Sequence, residues 1–270
     1  MIFKYNNHNV YYEIHGEGAP LLLLNGIMMS TKSWSQFVEP LSSLNQLILV
    51  DFLDQGQSSK LEGESFTHQV QIEMIASFID YLGLEEINLF GVSYGGEIAI
   101  QLAYLYPDKF KKLLLFNTCA QTSYWLEEVG NAWNAASGDG LSYYLTTIPF
   151  IYSPKFFVEN AEWMKKRKEI LVPLFSDKAF IDSMIRLTNS SVGYDAVDEL
   201  SKITSETLIV GCEYDFVTPY YQQEQLHALI ENSQLLRIPE SGHAVFYEKP
   251  SLFVSLVLGF VNNNKSQFTL

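Results

Sequence analysis

Short, almost uninterrupted apolar runs recur along the chain: Pro20 to Leu24, Gln46 to Val50, Ile87 to Phe90 and Lys112 to Phe116. Runs of this kind predict strands covered on both faces, as in a parallel sheet. Between them lie segments with apolar residues at every third or fourth position, Val70 to Leu82 and Glu97 to Tyr106, the second ended by Pro107; this spacing predicts helices. Strand followed by helix, repeated, implies right-handed crossovers and a doubly wound sheet. The start of the chain differs. Ile2 to Tyr5 and Val10 to Ile14 are strand-like, and Asn6 to Asn9 supply turn residues, which together predict an antiparallel hairpin.

After Thr118 the pattern changes. No strand-like run occurs before about Ile203, helical spacing appears at Asn160 to Leu174 and Lys178 to Leu187, and ten large aromatic residues crowd the stretch from Tyr124 to Trp163. The strand and helix alternation returns with Thr207 to Gly211, a helix from about Tyr220 to Glu231, the strand Gln234 to Ile238 and a final helix from Pro250 to Val261. The expected fold is therefore α/β: a doubly wound, mostly parallel sheet with an N-terminal antiparallel hairpin and an inserted helical lid. Residues 1–118 and 204–270 are expected to form the core and residues 119–203 the lid.

Composition narrows the partners. With 17 Lys and Arg against 31 Asp and Glu, the net charge is -14, so nucleic acid and anionic membrane surfaces would be repelled over most of the exterior. No basic region followed by a sustained apolar one stands at the N-terminus, and the longest apolar stretches are too short to span a bilayer. The chain is expected to be cytoplasmic. Its two cysteines, Cys119 and Cys212, form neither a disulfide framework nor a metal-ligand pattern, and no cofactor or metal is expected.

The sharpest local pattern is Gly91-Val92-Ser93-Tyr94-Gly95-Gly96, set between a buried strand and a helix. A serine at the tip of so tight a turn has its hydroxyl presented at the C-terminal edge of the sheet, and the flanking positions must lack bulk. A serine hydroxyl is a weak nucleophile and needs a base, which in turn needs an acid to fix its tautomer. Of five histidines, His8, His15, His68 and His227 are expected on surfaces or turns. His243 follows the last strand in the loop Pro239 to Ala244, so it emerges at the same sheet edge as Ser93. The acid should also follow a strand there. Glu213 and Asp215 both do, and Asp215 is favoured; the end of the strand at Phe116 carries Asn117 instead of a carboxylate. The developing oxyanion would take backbone N-H groups from Tyr94 and from the loop after Leu24, where Ile27 is chosen and Met28 stands second.

These residues resemble the α/β-hydrolase superfamily over nearly the whole chain, in particular its lid-bearing, cofactor-free serine hydrolases. The resemblance rests on Asn25-Gly26, Asp51 with Gly56-Gln57-Ser58, Gly91 to Gly96, Gly211 with Asp215 and Pro219, and Gly242-His243 with Glu248 and Pro250. The chain order Ser93, Asp215, His243 is the superfamily's order. Three features depart from its usual pattern: Asn25 replaces a histidine, the loop Asp51 to Ser58, usually aromatic or arginine-rich, carries Asp54, and Ser205-Glu206 lacks a proline. The lid matches no particular subfamily. The resemblance implies cleavage of a small-molecule ester, lactone or thioester through an acyl-enzyme on Ser93. Carbon-carbon bond hydrolysis, acyl transfer, perhydrolysis and slow-turnover sensing of a small ligand would use the same residues. The lid aromatics, taken together, suggest an apolar or ring-bearing substrate, while any one of them is expected to pack the lid onto the core.

Overall fold

The computed structural model describes residues 1–263 and Phe268. Eight strands form one sheet: β1 (Ile2–Tyr5), β2 (His8–His15), β3 (Ala19–Leu24), β4 (Asn45–Val50), β5 (Ile87–Val92), β6 (Phe110–Phe116), β7 (Glu206–Cys212) and β8 (Ser233–Ile238). Their spatial order is β1-β2-β4-β3-β5-β6-β7-β8. β1 and β2 pair antiparallel, as do β2 and β4, while every pair from β4 to β8 is parallel. The expected hairpin is tighter than its sequence implies: Tyr5 pairs directly with His8, and Asn6 takes a positive φ of 50° in the two-residue turn, a conformation asparagine tolerates well.

The helices are α1 (Val38–Ser42), α2 (His68–Leu82), α3 (Tyr94–Leu105), α4 (Tyr124–Ala136), α5 (Gly140–Ile151), α6 (Pro154–Glu159), α7 (Ala161–Phe175), α8 (Lys178–Ser190), α9 (Tyr221–Leu229), α10 (Val245–Glu248) and α11 (Pro250–Val261). Leu21 to Leu24, Leu47 to Val50 and Leu113 to Phe116 are all buried, as central strands covered on both faces must be. An aromatic cluster of Trp34, Phe37, Phe90, Phe116 and Phe253 fixes α11 against the sheet, with ring centroids 5.0 to 6.2 Å apart. Helices α4 to α8 all lie between β6 and β7 in the chain. Among the described residues no helix is long and apolar enough to cross a membrane.

The helical insertion is fastened to the loops and to α10 beside the sheet by polar contacts at several points. Arg186 on α8 donates from Nε and Nη2 to Asp54 at 2.8 and 2.7 Å. Ser153, which caps α6, donates from its amide and its hydroxyl to the two oxygens of Glu248, each at 2.7 Å. Trp125 Nε1 reaches the carbonyl of Phe216 at 2.8 Å.

Candidate active site

The turn from β5 into α3 places Ser93 at φ 53° and ψ -125°, outside the regions that residues with side chains ordinarily adopt. Its surroundings enforce the strain. The Ser93 amide donates to Phe116 O at 3.0 Å, and its carbonyl accepts from Gly96 N at 2.8 Å, Glu97 N at 3.1 Å and Thr118 Oγ1 at 2.8 Å. Two glycines allow the close packing. A Cβ at Gly91 would lie 2.4 Å from the carbonyl oxygen of Gly95, and one at Gly95 would lie 2.4 Å from that of Leu24. Helix α3 begins at Tyr94, three residues earlier than the periodicity predicts, because Ser93 itself is the N-cap.

His243 and Asp215 meet. Nδ1 of His243 lies 2.7 Å from Oδ2 of Asp215, whose side chain is fully buried. A carboxylate only accepts, so Nδ1 carries the proton and the lone pair of Nε2 is left free. The acid is held in turn: Oδ1 accepts from Val217 N and Thr218 N, and Oδ2 from Thr218 Oγ1, all at 2.9 Å. The alternative acid, Glu213, bonds instead to Glu240 N at 2.9 Å and to Arg237. Asn117, the residue in place of a carboxylate after β6, donates to the carbonyl of His243 at 2.7 Å and so braces the histidine loop.

Ser93, Tyr94, Gly26, Ile27 and His243 line one cavity of about 150 Å³ between the sheet edge and α4, α5 and α7. Among the described residues no acceptor is bonded to the amide of Ile27 or to that of Tyr94. The loop carrying Ile27 is shaped by Gln55, which the sequence did not single out. Its Nε2 donates to the carbonyls of Gly26 at 2.8 Å and Ile27 at 3.1 Å, and its Oε1 accepts from Asn25 at 3.1 Å. Asn25 also donates to Val50 O at 2.9 Å and accepts from Trp34 Nε1 at 2.7 Å. Two of the departures from the usual pattern are therefore buried supports, Asn25 behind the loop and Asp54 in the contact with Arg186, and neither lines the cavity.

His68 corrects an expectation. It is buried at the start of α2, with Nε2 3.0 Å from Ser191 Oγ and 3.3 Å from Glu97 Oε2. Gln101 Nε2 donates to the carbonyl of Glu97 at 3.1 Å and to His68 Nδ1 at 2.9 Å. Nδ1 is then an acceptor and Nε2 bears the proton, so this serine-histidine pair lacks the free lone pair a base requires. The other three histidines stay at least partly exposed. Of the ten aromatics between Tyr124 and Trp163 only Trp133 and Tyr152 line the cavity; Phe156 and Trp163 pack against Tyr152 and each other, one pair stacked and two edge-on, at 5.5 to 5.8 Å. The two thiols are buried, and burial pushes both well above the ordinary cysteine range. Among the described residues no group of three or more His, Cys, Asp and Glu side chains is placed to hold a metal.

A family model described as alpha/beta hydrolase fold matches residues 19–168, more than half of the chain. The chain belongs to the α/β-hydrolase family. A second model, described as TAP-like protein, matches residues 188–265 of this α/β hydrolase. It is 44% identical to MGS-M2, an alpha/beta hydrolase enzyme from a Medee basin deep-sea metagenome library, with a TM-score of 0.96 over 100% of both chains. A putative carbamate hydrolase, RutD, from Azorhizobium caulinodans is 27% identical over 93% of this chain and 94% of its own. A hydrolase from Pseudomonas aeruginosa shares the fold at a TM-score of 0.84, with 22% identity over 97% of this chain and 98% of its own.

Proposed function

We propose that this α/β hydrolase cleaves a small ester, lactone or thioester through an acyl-enzyme on Ser93, under a lid formed by residues 119–203. The observation that carries the reading is the 2.7 Å bond between His243 Nδ1 and Asp215, which leaves Nε2 of His243 unprotonated in the cavity that the strained Ser93 also lines. Nε2 takes the proton of the Ser93 hydroxyl as Oγ attacks the carbonyl carbon. The oxyanion that develops is held by the amides of Tyr94 and Ile27. The protonated His243 then gives its proton to the departing alcohol or thiol, while Asp215 remains ionised and fixes the ring. In the second half a water gives its proton to Nε2 as it attacks the acyl carbon, and His243 returns that proton to Ser93 Oγ as the Oγ–acyl bond breaks and the acid leaves.

A cavity of about 150 Å³ is on the scale that holds a benzene-sized group, which favours a short acyl chain or a single ring. The test is steady-state hydrolysis of 4-nitrophenyl acetate and butyrate. Sustained turnover is expected, with kcat lowered by about 10⁴-fold or more in Ser93→Ala. An absence of turnover by the unaltered protein, or equal rates in Ser93→Ala, would overturn the reading.

A further inference from the structure

The chain contains three arginines. Arg186 pairs with Asp54 at 2.7 Å and Arg237 with Glu213 at 3.4 Å. Arg167, on α7, lines the same cavity as Ser93 and His243, yet among the described residues it is ion-paired to no carboxylate. Its guanidinium lies 4.9 Å from the ring centroid of Tyr247 and 5.5 Å from that of Trp163. Its Nε is buried without a hydrogen-bond partner. The guanidinium also lies within hydrogen-bonding reach of the phenol of Tyr152, which burial keeps protonated, so the unpartnered donor is Nε alone. Two carboxylates stand in the cavity wall: Glu97, which is bonded by Ser191 at 3.2 Å and faces His68 at 3.3 Å, and Glu127 on α4, which is exposed.

A buried donor with no acceptor is costly, and more so when it carries charge. Contact with two rings restrains the guanidinium, whose planar fork of donors matches two oxygens of one anionic group.

We propose that Arg167 binds a carboxylate on the substrate, so that the molecule cleaved at Ser93 carries an acid group in addition to its ester, lactone or thioester bond. This proposal rests on the reading of Ser93 as nucleophile. It makes Arg167 a specificity-determining residue and half-esters of short dicarboxylic acids the expected class of substrate.

The experiment compares mono-(4-nitrophenyl) glutarate with 4-nitrophenyl butyrate, which differ in the terminal carboxylate. The ratio of their kcat/KM values is expected to fall by about ten- to a hundred-fold in Arg167→Gln, the range of a charge-assisted hydrogen bond, mainly through KM of the anionic ester. Arg167→Lys, which keeps the charge without the fork, should retain part of the ratio. A ratio that is the same in all three proteins would overturn the proposal. Calorimetric titration of glutarate into Ser93→Ala, and into the same protein with Arg167→Gln, reads the carboxylate site without turnover. Binding lost with Arg167→Gln supports the site even if neither ester is hydrolysed, and binding that is absent or unaltered overturns it. Should Arg167→Gln not fold, the Lys variant decides: no change in ratio and in glutarate affinity relative to the unaltered protein speaks against bidentate recognition, and a drop in both supports it.

Discussion

The contact between Asp54 and Arg186 gives the most quantitative forecast for the seam between the insertion and the sheet. Asp54 is fully buried, Arg186 keeps 16% of its side chain exposed, and two short bonds join them. The carboxylate and charge of Asp54 hold the guanidinium above its ordinary pKa. Because one partner touches water and the other does not, the two deletions are unequal. Arg186→Ala strands a buried carboxylate whose remaining donors are Leu61 N at 2.8 Å and Ser183 Oγ at 3.5 Å. Removing one partner of a buried pair costs about 3–5 kcal/mol; partial access of water at Arg186 places this case near 3, about 6–12 °C in Tm for a chain of this size. Asp54→Asn keeps the acceptor for Leu61 and lets Arg186 turn to solvent, so it should cost about 1–2 kcal/mol. The double variant, Asp54→Asn with Arg186→Ala, should be more stable than Arg186→Ala alone, because no stranded charge remains. Urea unfolding followed by tryptophan fluorescence, with thermal melts alongside, measures all four proteins. An Arg186→Ala protein within about 0.5 kcal/mol of the parent, or strictly additive losses in the double variant, would refute the reasoning.

Three further outcomes follow from the site. Gln55→Leu frees the carbonyls of Gly26 and Ile27 that Gln55 now holds, so kcat on 4-nitrophenyl butyrate should fall by about 10- to 100-fold, less than the loss of a whole oxyanion donor; an unchanged kcat would show that the loop holds its shape unaided. Asp215→Asn should lower kcat by about 10⁴-fold, since an amide at Oδ2 misplaces the proton on His243, and a loss below about tenfold would count against Asp215 as the orienting acid. Cys119 and Cys212 are buried and held protonated by that burial, so a disulfide reagent at pH 8 should find no thiol in the native protein and both after denaturation; rapid reaction of either in the native state would contradict their placement.

Much of this arrangement was legible in the residues because it rests on local rules. Continuous apolar runs marked β3 to β7, and α11 follows its predicted bounds from Pro250 to Val261. Ser93, Asp215 and His243 could be placed together from the sequence because each follows a strand in a parallel sheet, where side chains at the C-terminal ends converge. What escaped was set by contacts between distant segments. His68 is buried only because Gln101, Glu97 and Ser191 gather round it, the last of them 123 positions away. Gln55 supports the Ile27 loop across 28 positions; its one sequence signal was a place in a polar loop directly after β4. The aromatics of the insertion were less informative about the site. Large rings fill space wherever an element lacks a partner, and Phe156 and Trp163 pack against Tyr152 within the insertion.

The central claim, a serine nucleophile activated by His243 in this cavity, is tested most directly by covalent labelling. Intact-mass and peptide analysis after treatment with a fluorophosphonate should show a single adduct, on the peptide containing Ser93, that is absent from Ser93→Ala and formed far more slowly by His243→Ala. No adduct on the unaltered protein, or one that persists in Ser93→Ala, would contradict it.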